Sequence, residues 1–170
     1  MYLIIGASGF LGRYCLKNVL ENTNEKIIAT YSQKCPEFTN PRVEWVSLDV
    51  CDTVALKDLS ARVDNTTKII YLAAFHHPDK VEEFPELAWN INIVALANAV
   101  NLFHKAKCFY CSSTDTVYGE GSKNRKFVEN DALNPVNLYG VHKALAEKIC
   151  LAKGFNVVRF PFIFGTSLVE

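Results

Sequence analysis

Hydrophobic residues in this chain fall into short runs that alternate with longer stretches of helical period. β-Branched and aliphatic runs at Tyr2 to Ile5, Lys26 to Tyr31, Val43 to Leu48, Lys68 to Ala73, Lys107 to Cys111 and Asn156 to Phe160 predict six strands. Between them, apolar residues recur every three or four positions over Phe10 to Glu21, Asp52 to Ala61, Val81 or later to His104, and Tyr139 to Lys153, which predicts helices. Strand alternating with helix implies an α/β fold, a doubly wound parallel sheet with helices on both faces and right-handed crossovers. The one long irregular stretch, Gly119 to Asn137, carries Gly, Lys, Asn and Pro and is expected as an exposed loop beside the site.

Composition narrows the function classes. With 170 residues, 49% of them hydrophobic, the chain has the apolar surface for one core, so a single domain over 1–170 is expected. Eighteen basic residues balance eighteen acidic ones, with no basic run or stripe, which points away from nucleic acid and anionic membrane and toward a small soluble ligand. The apolar stretch Tyr2 to Ile5 is too short for a signal sequence or for the ~20 residues of a membrane span, and a cytoplasmic protein is expected. Six scattered cysteines fit free thiols in a reducing compartment. Cys108 and Cys111 form a C-x-x-C, but on a strand residues three apart point to opposite faces, which disfavours chelation or a local disulfide. No metal site is expected, since the adjacent His76 and His77 would point apart on an extended segment; substrate contact and plain loop surface both fit that pair.

Candidate chemistry begins at the amino terminus. In "LIIGASGFLG" a strand runs into a glycine turn and then a helix, the context in which pyrophosphate rests on the amides of a helix N-terminus. Gly6, Ser8, Gly9, Phe10, Leu11 and Gly12 are the candidate cofactor-binding residues, although the spacing is G-x-x-G-x-x-G and a plain strand-to-helix turn fits the same letters. Farther on, Tyr139 and Lys143 stand four apart, on one face of a helix. An ammonium near the phenol is expected to lower its pKa from about 10 toward the range where tyrosine trades protons at neutral pH. Thr114, 25 residues before Tyr139, is expected at the carboxyl end of the fifth strand, where parallel sheets bind ligands.

"GASGFLG", "YLAA", "NINIVALAN", "SSTDTVYG", "YGVHK" and "RFPFIFG" occur in order, and through them the chain resembles the extended short-chain dehydrogenases/reductases, a group of nucleotide-sugar epimerases, dehydratases and reductases. The resemblance covers nearly the whole chain. It implies a Rossmann-type sheet in the order 3-2-1-4-5-6 and an NAD(P) cofactor. It assigns Thr114 to orient the substrate oxygen, Tyr139 to act as general acid/base, and Lys143 to tune Tyr139 and hold the nicotinamide ribose. Asn92 falls on the family's asparagine that supports the active-site helix and its water; a helix kink or buried amide fits it equally. The second carboxylate that follows threonine in dehydratases is Thr116 here, which argues against dehydration, while Asp115 and "TVYG" leave epimerase and 4-keto reductase both open.

The remaining cofactor signs are weaker. After the second strand no carboxylate appears, and Ser32 and Lys34 are available for a 2′-phosphate, a slight lean to NADP; an ordinary loop lysine fits Lys34 as well. Asp49 and Val50 match the family's adenine-contacting pair, with helix capping by Asp52 as the alternative for that acidic cluster. Leu72, Ala73 and Ala74 lie at the end of strand four, where small side chains would let the backbone approach a cofactor, and simple strand packing predicts much the same residues. The resemblance puts Pro161 and Phe162 beside the nicotinamide, and an apolar strand end predicts the same letters. It also suggests a homodimer through the helices before strand five and carrying Tyr139, where "INIVALANAVNLF" could equally bury against its own sheet. The sequence ends at Glu170, and the resemblance implies a further C-terminal substrate-binding region that is absent or not included, so two functions are carried forward. One is an enzyme acting on a nucleotide-linked sugar; the other is a non-catalytic NAD(P)-binding or regulatory protein, or the N-terminal piece of a longer enzyme.

Overall fold

A computed structural model describes residues 1–121 and 125–166. Residues 122–124 of the expected Gly119 to Asn137 loop, and the last four positions, lie outside the described residues. The strands are β1 (Tyr2–Ile5), β2 (Ile27–Tyr31), β3 (Val43–Ser47), β4 (Lys68–Tyr71), β5 (Cys108–Thr114) and β6 (Asn156–Phe160). They form a parallel sheet in the order β3-β2-β1-β4-β5-β6, the expected Rossmann-type arrangement.

Alternation along β1 divides the core. Leu3 and Ile5 face one side and pack in a cluster with Leu56 and Leu59 of α2 (Thr53–Ser60), Leu96 and Val100 of α5 (Leu96–Leu102), and Ala146 of α6 (Leu138–Ala152). Ile4 faces the other and meets Leu16 and Val19 of α1 (Phe10–Asn22). Helices thus cover both faces, as a parallel sheet requires.

Most boundaries agree with the sequence reading to within one residue, and three elements depart from it further. β5 runs on to Thr114 because Ser112, Ser113 and Thr114 pair with Val158, Arg159 and Phe160 of β6, so ladder hydrogen bonds hold polar residues that propensity alone would release. β4 stops at Tyr71, although the Leu72 amide still reaches the Ile5 carbonyl at 2.8 Å. The single long helix expected before β5 is divided into α3 (Pro78–Glu83), α4 (Pro85–Trp89), a π-helical stretch at Asn90–Ala95, and α5. Pro78 and Pro85 each open a helix, where a missing N–H costs nothing, and Phe84 between α3 and α4 leaves helical geometry with φ −127°.

Cys108 and Cys111 lie at odd separation on β5, as expected, and all six cysteines are free. The Cys111 thiol instead reaches the Ser112 carbonyl at 3.6 Å, and it shares the core cluster and its electrostatics with the buried thiol of Cys150 on α6. Among the described residues no helix is long and apolar enough to cross a membrane.

Candidate functional site

The glycine loop leaves β1 through Gly6, whose φ of +86° is a left-handed conformation that disfavours side chains. A Cβ there would stand 2.9 Å from the Ala73 amide nitrogen, so Gly6 lets the loop touch the strand-four exit. A Cβ on Gly12 would fall 2.3 Å from the Gly6 carbonyl oxygen, so Gly12 is what allows α1 to sit on the loop. Gly9 begins α1 with no side-chain cap and no acidic residue in the first turn among the described residues. The positive end of that helix is therefore not neutralised by its own sequence.

Thr30, buried on β2, holds the loop in place: its Oγ1 accepts from the Gly6 amide at 3.0 Å and its carbonyl from the Ser8 amide at 3.3 Å. Sequence reasoning passed over Thr30, since a β-branched residue in a strand carries no motif.

Along the same carboxyl edge, Ser32 is exposed and Lys34 is a solvated loop lysine, its side chain 86% exposed and in loose contact with Glu37 at 3.9 Å. Val50 is buried and Asp49 exposed, with one carboxylate oxygen taken by the Cys51 amide at 2.9 Å. Asp52 caps α2 through the amides of Val54 and Ala55, the role proposed as its alternative. Leu72 and Ala73 pass beside Gly6, and Ala74 follows them. Asn92, buried in the π-helical stretch, accepts from the Phe75 amide at 2.8 Å and donates to the Phe75 carbonyl at 2.9 Å. Asn92 is thus a buried amide in an irregular stretch of helix, and its two bonds clamp the loop after β4. Beyond the clamp, His76 and His77 do not point apart as an extended segment would make them: His77 has a φ of +70°, and the two rings lie 4.1 Å apart.

At the end of β5 the Thr114 hydroxyl donates to Asp115 at 3.2 Å and accepts from the Thr116 amide at 3.2 Å. Tyr139 lies in the first turn of α6, which is capped by Asn137 and docks on the 3-10 turn Asp115–Tyr118. Gly140 permits the docking: a Cβ there would meet the Thr116 carbonyl oxygen and a Pro135 side-chain carbon, each at 2.9 Å. Thr114, Tyr139 and Lys143 are thereby gathered on adjoining elements at one edge of the sheet.

The electrostatics differ from expectation. Burial first, then Cys111 and Asp115, push the Tyr139 phenol above its ordinary value, and Lys143 is not among the groups that act on it. The expected lowering by Lys143 is therefore corrected: loss of water around the phenol outweighs any help from the ammonium one turn away. Lys143 itself is only 5% exposed and, among the described residues, makes no hydrogen bond or salt bridge.

Beneath this constellation lies a polar network that the sequence did not disclose. Glu147, 2% exposed, receives Arg159 through Nε at 2.8 Å and Nη2 at 2.7 Å, and the Ser113 hydroxyl at 2.5 Å. Arg159 Nη1 also donates to the Tyr118 hydroxyl at 2.7 Å. Its only sequence signal is the spacing of Tyr139, Lys143 and Glu147, which repeats every four residues along one helical face. Pro161 and Phe162 follow β6 and are exposed, Phe162 by 85%. The chain then crosses toward α1, where the Tyr14 hydroxyl donates to the Thr166 carbonyl.

Residues 2–163 match the NAD dependent epimerase/dehydratase family. The chain is 32% identical over 165 residues to methionine adenosyltransferase 2 subunit beta of Danio rerio, covering 96% of this chain and 48% of that protein. Among solved structures it resembles a hypothetical dTDP-4-dehydrorhamnose reductase from Sulfolobus tokodaii, with a TM-score of 0.80 and 29% identity over 96% of this chain and 56% of that one. It also shares its fold with UDP-glucuronic acid 4-epimerase from Bacillus cereus in complex with UDP-glucuronic acid and NAD, with a TM-score of 0.78 and 22% identity over 93% and 55% of the two chains. The chain spans about half the length of the curated relatives it matches. Family match, strand order and the glycine loop agree, and the chain belongs to the NAD dependent epimerase/dehydratase family.

Proposed function

We propose that this chain binds NAD(P) along the carboxyl edge of its sheet and serves hydride transfer at a carbinol carbon of a nucleotide-linked sugar, as an epimerase or 4-keto reductase. The observation that carries the reading is Lys143, a lysine only 5% exposed whose ammonium has no hydrogen-bond or salt-bridge partner among the described residues, one turn from Tyr139. Such a cation is costly to bury unless a ligand supplies acceptors, and ribose hydroxyls do so. Gly6, Ser8, Gly9, Phe10, Leu11 and Gly12 would hold the pyrophosphate on the uncapped end of α1. When bound, the nicotinamide supplies the hydride chemistry. Thr114 orients the substrate oxygen and Tyr139 gives or takes the proton at that oxygen. Thr116 in place of a second carboxylate disfavours dehydration.

Ser32 and the loosely held Lys34 support a preference for the 2′-phosphate of NADPH. Calorimetric titration is expected to show binding of both reduced cofactors, NADPH modestly tighter; tighter NADH binding removes the Lys34 argument, and no binding of either removes the cofactor reading. The reading includes a homodimer, supported by Leu87, Val94, Val141 and Leu145, which stay exposed on α4, the π-helical stretch and α6 while most of "INIVALANAVNLF" is buried in the chain's own core. Sedimentation of the same samples as a monomer at all concentrations overturns it. A cytoplasmic location rests on the six free cysteines, and fails if alkylation of fresh lysate under denaturing, non-reducing conditions leaves any of them unalkylated.

A second reading is favoured by the similarity to proteins named as a subunit of another enzyme: an NAD(P)-binding regulatory protein without turnover. The half-length match favours its variant, the N-terminal piece of a longer enzyme, which a reading frame continuing in register past Glu170 tests.

A further inference from the structure

Among the described residues, and histidine aside, Lys143 and Glu147 are the two charged side chains that are buried. They carry opposite charges one turn apart on the same face of α6, the spacing at which such residues ordinarily pair, and both act electrostatically on Cys111 and Cys150. No salt bridge joins them. Both Glu147 oxygens are instead engaged by the planar fork of Arg159, and one of them also by Ser113. Arg159 is in turn held over the Tyr118 ring, 4.8 Å from its centroid, and bonded to the Glu129 carbonyl at 2.9 Å, so its head group is fixed from several sides.

We propose that Arg159 is a positioning residue for Lys143: by occupying Glu147 it keeps this buried carboxylate from capturing the ammonium, which stays available for the cofactor ribose. The proposal rests on the cofactor reading above. It assigns the two partners of one ion pair unequal roles. Losing Arg159 releases Glu147, which swings one turn up the helix and takes Lys143. Losing the Glu147 charge releases nothing that competes for Lys143.

The test is a set of NADH and ADP titrations on the wild type, Arg159→Gln, Glu147→Gln and the double variant, ADP serving as a probe of the glycine loop that does not extend to Lys143. Arg159→Gln is expected to weaken NADH roughly tenfold or more, the loss of about one charge-assisted hydrogen bond, while leaving ADP within about twofold. Glu147→Gln and the double variant are expected to bind NADH within about threefold of wild type, the second being a rescue by charge removal. Arg159→Lys keeps the charge without the fork; should Arg159→Gln fail to fold, it is expected to show the same NADH-specific weakening in smaller degree. Equal NADH losses in both single variants, no recovery in the double variant, or parallel loss of ADP overturns the proposal and leaves the cofactor reading standing. A wild type that binds neither nucleotide overturns both.

Discussion

Gly12→Ala is expected to lower stability by about 3 kcal/mol or more, the upper end for overpacking, because the added methyl lands on backbone that cannot move aside. Its nearest contacts are the Gly6 carbonyl at 2.3 Å and the Ala7 Cα at 2.6 Å, and both atoms belong to the turn that closes the loop. Relief would require α1 to lift from β1, uncovering Leu16 and Val19 against Ile4. Gly9→Ala is the control. Its Cβ would meet nothing closer than 3.4 Å, and its φ of −73° suits any residue, so a change within about 0.5 kcal/mol is expected. Urea denaturation of the two variants reads the difference directly. Coincident midpoints would show that the helix-on-loop contact is softer than its geometry indicates.

Tyr139→Phe is expected to reduce turnover of a nucleotide-linked ketose or alcohol by about 10²- to 10⁴-fold, the usual contribution of a general acid/base, with NADH affinity nearly unchanged. The phenol is pushed above its ordinary pKa by burial, Cys111 and Asp115, which sets the pH dependence. A raised pKa keeps the proton on Tyr139 throughout the neutral range. Ketone reduction, which needs the acid form, is therefore expected to hold level through neutrality and fall only on the alkaline side. Alcohol oxidation, which needs the base, should rise with pH over the same interval. Asp115→Asn removes one of the two negative influences and should move the alkaline limb to lower pH. A rate unaffected by Tyr139→Phe would leave the regulatory reading in possession of the field.

These two experiments probe features of different legibility. The glycine loop could be read from "IIGASGFLG" because its requirements are local: a strand end, a left-handed turn and a helix start within a dozen residues. Gly6 and Gly12 then proved to have distinct jobs, one conformational and one of packing. Tyr139 and Lys143 were legible as a pair because helical periodicity puts residues four apart on one face. Their electrostatic relation was not, since the pKa of a phenol depends on which groups from other elements surround it, and here those are Cys111 and Asp115. Gly140 was passed over for a similar reason, its close neighbours being Pro135 and the Thr116 carbonyl rather than its own helix.

By itself the sequence determined the alternation of strand and helix, the placement of the glycine loop and Thr114 at strand ends, and the family expectation that sheet order and family match then bore out. Those properties follow from periodicity and turn chemistry, which act over a few residues. Only the tertiary structure decided that Cys111 meets Cys150 rather than Cys108, that Asn92 clamps Phe75, that Thr30 steadies the glycine loop, and that Glu147 is claimed by Arg159 rather than Lys143. Each of these partners was chosen by desolvation: a polar group taken from water must find a donor or acceptor nearby, and which one is nearby is settled by how the strands and helices pack.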